Sequence, residues 1–259
     1  MLAPPDRRLL HPARRPSHGA PLLTADKKAL TRIGKSFFRK IKHTIPESVS
    51  AAYLLPMRYV SLDLETSGSD PLRHQVLELA AVVEDTKRPR PLAELPAFRR
   101  LLIHAEIVGT PGALVLNARL LAELAAPPLP PPTERCTPAE VLPQLREFLV
   151  TQGFRPDDKD LVRFVLAGKN VAVFDLLFLQ QLPGWGTIIK SEPAVIDPAL
   201  LYLNWRKDSR LPSMAIAKTR AQFPDPTVAH EALADALDVV QLLRPFSQFS
   251  VYNRARGEE

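Results

Sequence analysis

Asp63 and Glu65 are the residues of this 259-residue chain that most plainly call for a partner. They occupy positions i and i+2 of the alternating stretch 58–65. On a strand both side chains leave the same face as Tyr59 and Ser61, opposite Val60, Leu62 and Leu64. A carboxylate on a buried element is costly, and two together oppose each other's ionisation. A divalent cation answers both problems, and hard oxygen donors suit Mg2+ or Mn2+. The plain alternative is a strand end that reaches solvent, where Asp-x-Glu is commonplace.

A third carboxylate, Asp175, lies in 168–179 (GKNVAVFDLLFL), at the start of a helix. There it complements the helix dipole, so capping explains it without chemistry. Its neighbours Phe174, Leu176, Leu177, Phe178 and Leu179 are all apolar, an unusual setting for a carboxylate without a partner. The fourth is Asp235, and His230 precedes it by five residues, about 140° away on an ideal helix. The two share a site most easily if His230 sits in the loop before the helix and leans over a metal held by Asp235. Pro224 and Pro226 favour a loop there. A histidine near neutral pKa in that place can take a proton from an attacking water. Taken singly, it reads as a capping or solvated histidine.

Together, segments 60–71 (VSLDLETSGSDP), 168–179 and 229–243 (AHEALADALDVVQLL) resemble the three exonuclease motifs of the DEDD superfamily, in its histidine-containing branch. That branch includes oligoribonuclease, ribonuclease T and the proofreading subunit of bacterial DNA polymerase III. The resemblance spans about residues 57–245, in family order. It implies an α/β (α+β) domain, a ribonuclease H-like exonuclease fold with a mixed five-stranded sheet flanked by helices. It implies that Asp63, Glu65, Asp175 and Asp235 hold two divalent cations, Mg2+ or Mn2+, and that His230 is the general base. The implied activity is 3′→5′ hydrolysis of single-stranded DNA or RNA, or of short oligonucleotides, releasing nucleoside 5′-monophosphates. Thr66 matches the family position whose backbone touches the terminal nucleotide. Lys169-Asn170 stands where many members have a histidine before the asparagine; Lys169 there contacts a phosphate or is simply solvated. Glu231, often basic in relatives, weakens attraction to the nucleic-acid backbone. Glu78 and Asp238 read as structural or solvated. The alternative is a proofreading or non-catalytic nucleic-acid-binding subunit of a larger replication or repair complex.

The elements that must position these residues follow from periodicity. Stretches 58–65, 76–84 and 98–104 read as an antiparallel meander. Helices are expected at 113–125 and 138–150, a strand at 161–167, and a helix from Phe174 through 182. A short strand at 195–197 precedes helices near 198–206, 212–222 and 230–243. These elements frame an exonuclease domain at 57–250, with 251–259 as a tail. Pro127, Pro128, Pro130, Pro131 and Pro132 mark a proline-rich surface loop, with a docking motif for a polymerase or other protein as the less favoured reading.

Composition is that of an ordinary globular chain, 46% apolar and 24% charged. No run of about 18 apolar residues is present, so no membrane span is expected. The net charge of +6 is uneven. Residues 1–57 hold eleven Lys/Arg against three acids, while the remainder holds 23 against 25. The basic character therefore belongs to a largely disordered arm at 1–56. Within it Leu30, Ile33, Phe37 and Ile41 outline an amphipathic helix at 25–43. That helix reads equally as a docked element or as an arm for nucleic acid or an anionic surface; a start of translation at Met57 is a third reading. Cys136 alone excludes an internal disulfide framework and a cysteine-based zinc site. Localisation defaults to the cytoplasm, with mitochondria second, because the arm is Arg-rich and acid-poor but proline-rich and serine-poor. Oligomeric state has no signature.

Overall fold

The computed structural model describes residues 57–127 and 134–255, with side chains as far as Phe246. The arm with its expected 25–43 helix, the proline loop from 128 to 133, and residues 256–259 lie outside the described residues.

The expected meander forms: β1 (Arg58–Thr66), β2 (Val76–Asp85) and β3 (Ala97–Leu102) pair antiparallel. Helices α1 (Pro111–Leu116) and α2 (Ala118–Ala125) follow, then β4 (Arg135–Cys136) and α3 (Pro138–Thr151). The second half runs β5 (Val162–Ala167), α4 (Asp175–Leu179), β6 (Ile189–Ile196), α5 (Met214–Arg220) and α6 (Ala232–Ala255). The strands make one mixed sheet in the order β4-β3-β2-β1-β5-β6, with β5 and β6 added in parallel. The mixed α/β sheet stands as expected, with a sixth strand, β4, beyond the five. Two residues long, β4 is too short to leave a periodic signal.

Alternation along β1 decides how the layers stack. Val60, Leu62 and Leu64 pack with Phe98 and Leu102 against Val141, Leu142, Leu145 and Leu149 of α3. Spacings of three and four in α3 put these leucines on one stripe. Thr137 opens α3 as its N-cap, and its N–H donates to the Glu140 carboxylate at 2.8 Å. The opposite face carries Tyr59, Val82 and Ala167 under α6 (Ala236, Val239, Val240, Leu243) and α5 (Met214, Ala217). Ser61 on that face donates its hydroxyl to the Ala236 carbonyl at 2.7 Å, fastening β1 to α6.

Several elements differ from expectation for physical reasons. The 113–125 helix breaks at Asn117 (φ −94°, ψ 18°) into α1 and α2. The α4 helix stops at Leu179 rather than 182, and 198–206 yields only a 3-10 turn at Pro198–Tyr202. β6 begins at Ile189 instead of 195; Pro193 obscures it in the sequence but is tolerated because β6 is a sheet edge. α6 starts two residues later than expected and continues to Ala255, past both 243 and 250. Cys136 is buried on β4, and burial pushes its thiol up to about 11, so it is a packing group.

Candidate metal centre

Asp63 and Glu65 lie near the end of β1 on the face turned towards α6, as their spacing requires. Ala80 stands opposite Asp63 and leaves room above it; Glu78 stands opposite Glu65. β5 pairs with β1 only along Tyr59–Ser61 and then turns away at Gly168. A Cβ at Gly168 would sit 2.8 Å from the Leu62 carbonyl, so this close approach needs glycine. Where β5 departs, Asp175 replaces it: the Leu64 N–H donates to Asp175 Oδ1 at 3.0 Å. Asp175 does lie in the first turn of α4, but it is 3% exposed and tied to β1, so a helix-capping role does not describe it.

Asp235 arrives from the other side, in the first turn of α6 and 5% exposed. His230 sits in the loop ahead of the helix, exposed, with a left-handed backbone (φ 52°). That conformation is uncommon for a residue with a side chain and costs of order 1 kcal/mol or more. The loop is held by an ion pair between Arg119 of α2 and Glu231 at 2.6 Å, and by the Asp235 N–H donating to the Glu231 carbonyl at 3.0 Å. One donor atom each of Glu65, His230 and Asp235 lies within 4.8 Å of the other two. All five residues line one cleft of about 570 Å³.

The electrostatics of the cleft are one-sided. Burial, and then the charges of Asp175, Asp235 and Glu65, raise Asp63 well above the usual carboxylate range. Burial raises Asp175, opposed in part by backbone N–H donation including that of Leu64. Glu65 is pushed up to about 7 by burial, then by Asp235 and Glu78. Asp235 is raised by burial and by Asp238, while His230 opposes the rise. Each shift marks a group short of positive charge. Asp235 Oδ1 is buried with no hydrogen-bond partner among the described residues. Hard carboxylate oxygens, crowded and under-compensated, fit divalent cations such as Mg2+ or Mn2+.

The remaining candidates divide. Thr66 lines the cleft; its hydroxyl donates to the Gly68 carbonyl at 2.8 Å, and its own carbonyl accepts from the Asn117 amide at 3.1 Å. Asn170 lines it too, left-handed (φ 57°), its N–H donating to Asp197 Oδ2 at 2.9 Å. Lys169 also faces the cleft but is not solvated: its ammonium lies 3.7 Å from Asp197 and donates to the Asn170 side chain. Glu78 is structural and buried, paired with Arg99; Asp238 is paired with Lys218 at 2.6 Å. Sequence reasoning missed Asn117, which holds the Thr66 carbonyl and also lowers the Glu65 pKa by a side-chain hydrogen bond. Asparagine's poor helix propensity was the available signal. Arg119 and Asp197 were missed as well, and nothing in their spacing singles them out.

No family model matches the chain, and no curated protein does either. Among solved structures, the chain is similar to an Exonuclease I from Methylocaldum szegediense, at 19% identity and TM-score 0.46 over 76% of this chain and 43% of that one. It is also similar to cell-death related nuclease 4 (CRN-4), at 13% identity and TM-score 0.49 over 73% of this chain and 64% of that one. The chain spans less than two thirds of the length of either. Both carry the names of nucleases, and the chemistry of the present cleft follows from its own residues. Among the described residues, no helix is long and apolar enough to cross a membrane.

Proposed function

We propose that this chain is a metal-dependent 3′→5′ exonuclease of the histidine-containing DEDD kind that its three motifs resemble. The observation that carries the reading is the cleft itself. Four carboxylates from three distant segments line it, each raised in pKa, and one of them keeps a buried oxygen without a partner among the described residues. A domain gains nothing in stability from that crowding, and a module that only binds phosphates gains nothing from clustered acids.

In this reading Asp63, Glu65, Asp175 and Asp235 hold two divalent cations, Mg2+ or Mn2+. Bound there, the cations supply an activated water and stabilise the attacking and leaving oxygens of the phosphodiester. His230, exposed at the cleft mouth, accepts the proton of that water at an imidazole nitrogen. Thr66 and Asn170 line the floor on which the terminal nucleotide of a single strand rests. Lys169, already neutralised by Asp197, positions the Asn170 turn more than it attracts phosphate. The product is a nucleoside 5′-monophosphate.

The test is release of mononucleotides from an oligonucleotide labelled at its 3′ end, with Mg2+, for the full chain and for Asp63→Ala. Metal-dependent loss of label by the first and not the second supports the reading. Absence of metal-dependent release from both sinks it.

A further inference from the structure

Glu65, His230 and Asp235 form a second, chemically distinct arrangement inside the same cleft. Their donors are two carboxylate oxygens and one imidazole nitrogen, mutually within 4.8 Å. Asp63 and Asp175 are not part of this group. Imidazole is a poor donor for Mg2+ and a good one for Zn2+ and its transition-series neighbours, whose affinities at N/O sites rise towards the end of the series. Two carboxylates and a histidine give the three protein ligands of a site that keeps one position open. Asp235 independently points to a ligand: it is 5% exposed and its Oδ1 has no hydrogen-bond partner among the described residues.

We propose that Glu65, His230 and Asp235 bind Zn2+ as a mixed oxygen-nitrogen site, and that His230, when it ligates the ion, is withdrawn from proton transfer. The inference rests on reading the cleft as a metal centre and adds its regulation: Mg2+ or Mn2+ supports the working state, and Zn2+ locks a resting one. Bonds of about 2.1 Å in a tetrahedral site put ligand atoms about 3.4 Å apart, so a trio within 4.8 Å needs to draw in by no more than about 1.4 Å. His230 can supply that movement. Its side chain is exposed, while its left-handed backbone is braced by the Arg119–Glu231 pair, and a ring nitrogen lies within 4.8 Å of an Asp235 oxygen. Loss of His230 removes the only nitrogen donor of the trio and leaves every carboxylate in place.

The experiment measures Zn2+ affinity by competition with a chromophoric chelator, and Mn2+ affinity by its free-ion EPR signal. The full chain and His230→Ala are compared, each checked for an unchanged thermal melt without metal. His230→Ala should weaken Zn2+ by about 100-fold, since even outer partners of a ligand are worth 10–100-fold, and change Mn2+ by less than about 3-fold. Excess Zn2+ should also stop Mg2+-driven turnover of the unsubstituted chain. Zn2+ binding that is equal in the two proteins overturns the proposal while leaving the metal centre standing. Failure of both ions to bind the unsubstituted chain overturns the metal-centre reading as well.

Discussion

Two groups of carboxylates sit on the same face of this sheet, and they have been treated in opposite ways. Glu78 is joined by Glu123 and Glu134 around Arg99, whose guanidinium pairs with all three. One strand away, Asp63, Glu65, Asp175 and Asp235 gather with no Lys or Arg paired to them among the described residues. Lys169, the one Lys or Arg on the cleft wall among the described residues, is committed to Asp197. The same residue type is therefore compensated in one place and left short of positive charge in the other, and the built-in cation marks the difference. Glu78 shows how local the rule is: it stands directly opposite Glu65 and helps raise its pKa, yet its own charge is paired with Arg99.

Substitutions should pull the two groups apart. The largest effect is expected from Asp235→Asn, which should lower metal-dependent turnover by about 10³-fold, or about 4 kcal/mol of transition-state stabilisation. The same change should raise the melting temperature without metal, because it removes a charge that burial and Asp238 disfavour more than His230 offsets. Steady-state kinetics and a calorimetric melt read the two signs. Arg99→Leu should do the reverse. It leaves Glu78 buried without its partner and costs about 3 kcal/mol of stability in denaturant titration, most of which Glu78→Leu in the same chain should restore. A melting temperature that responds alike to both changes would erase the contrast.

The next effect is of pH on the metal-free protein. Glu65 has its folded pKa raised from 4.5 to about 7, so the folded state holds a proton that the unfolded state releases. Its contribution is fully present below pH 4.5 and is lost as pH rises through 7, and Asp63, Asp175 and Asp235 shift in the same direction. Stability without metal should thus fall across pH 4.5–7, by about 3 kcal/mol from Glu65 at 1.36 kcal/mol per unit. Saturating Mg2+ should flatten the slope; a slope unchanged by Mg2+ would show that the ion does not meet these carboxylates. The smallest effect belongs to Arg119→Ala. Its pair with Glu231 is exposed, so stability should change by no more than about 0.5 kcal/mol. Turnover should fall a few-fold as the His230 loop loosens, and a calorimetric melt beside kcat separates the two.

Much of the site is legible in the sequence because its demands are local. Asp63 and Glu65 announce a shared face through period two, Asp175 stands out against five apolar neighbours, and Pro224 and Pro226 free His230 from the helix. The sheet's central strands are legible for the same reason. What is hidden depends on tertiary contact. Asn117 breaks a helix to reach the Thr66 carbonyl, and nothing in 113–125 records that strand. β4 owes its two residues to the edge of β3, and β6 accepts Pro193 because no strand among the described residues pairs beyond it. Lys169 looks solvated until Asp197, 28 residues later, closes on it.

The hydrogen bond from Ser61 to Ala236 spans 175 residues of sequence, and it bears on the order of events during synthesis. Asp63 and Glu65 are made first, Asp175 after them, and His230 with Asp235 last of the five. The long-range closures that join them are the slow part of folding. A ribosome-bound chain that has emerged only as far as β6 therefore holds acids and an unfinished sheet, with no cleft between β1 and α6. The docking of α6 is the step that brings Asp235 to Asp63, Glu65 and Asp175, so the four carboxylates share a cleft only after α6 has been made.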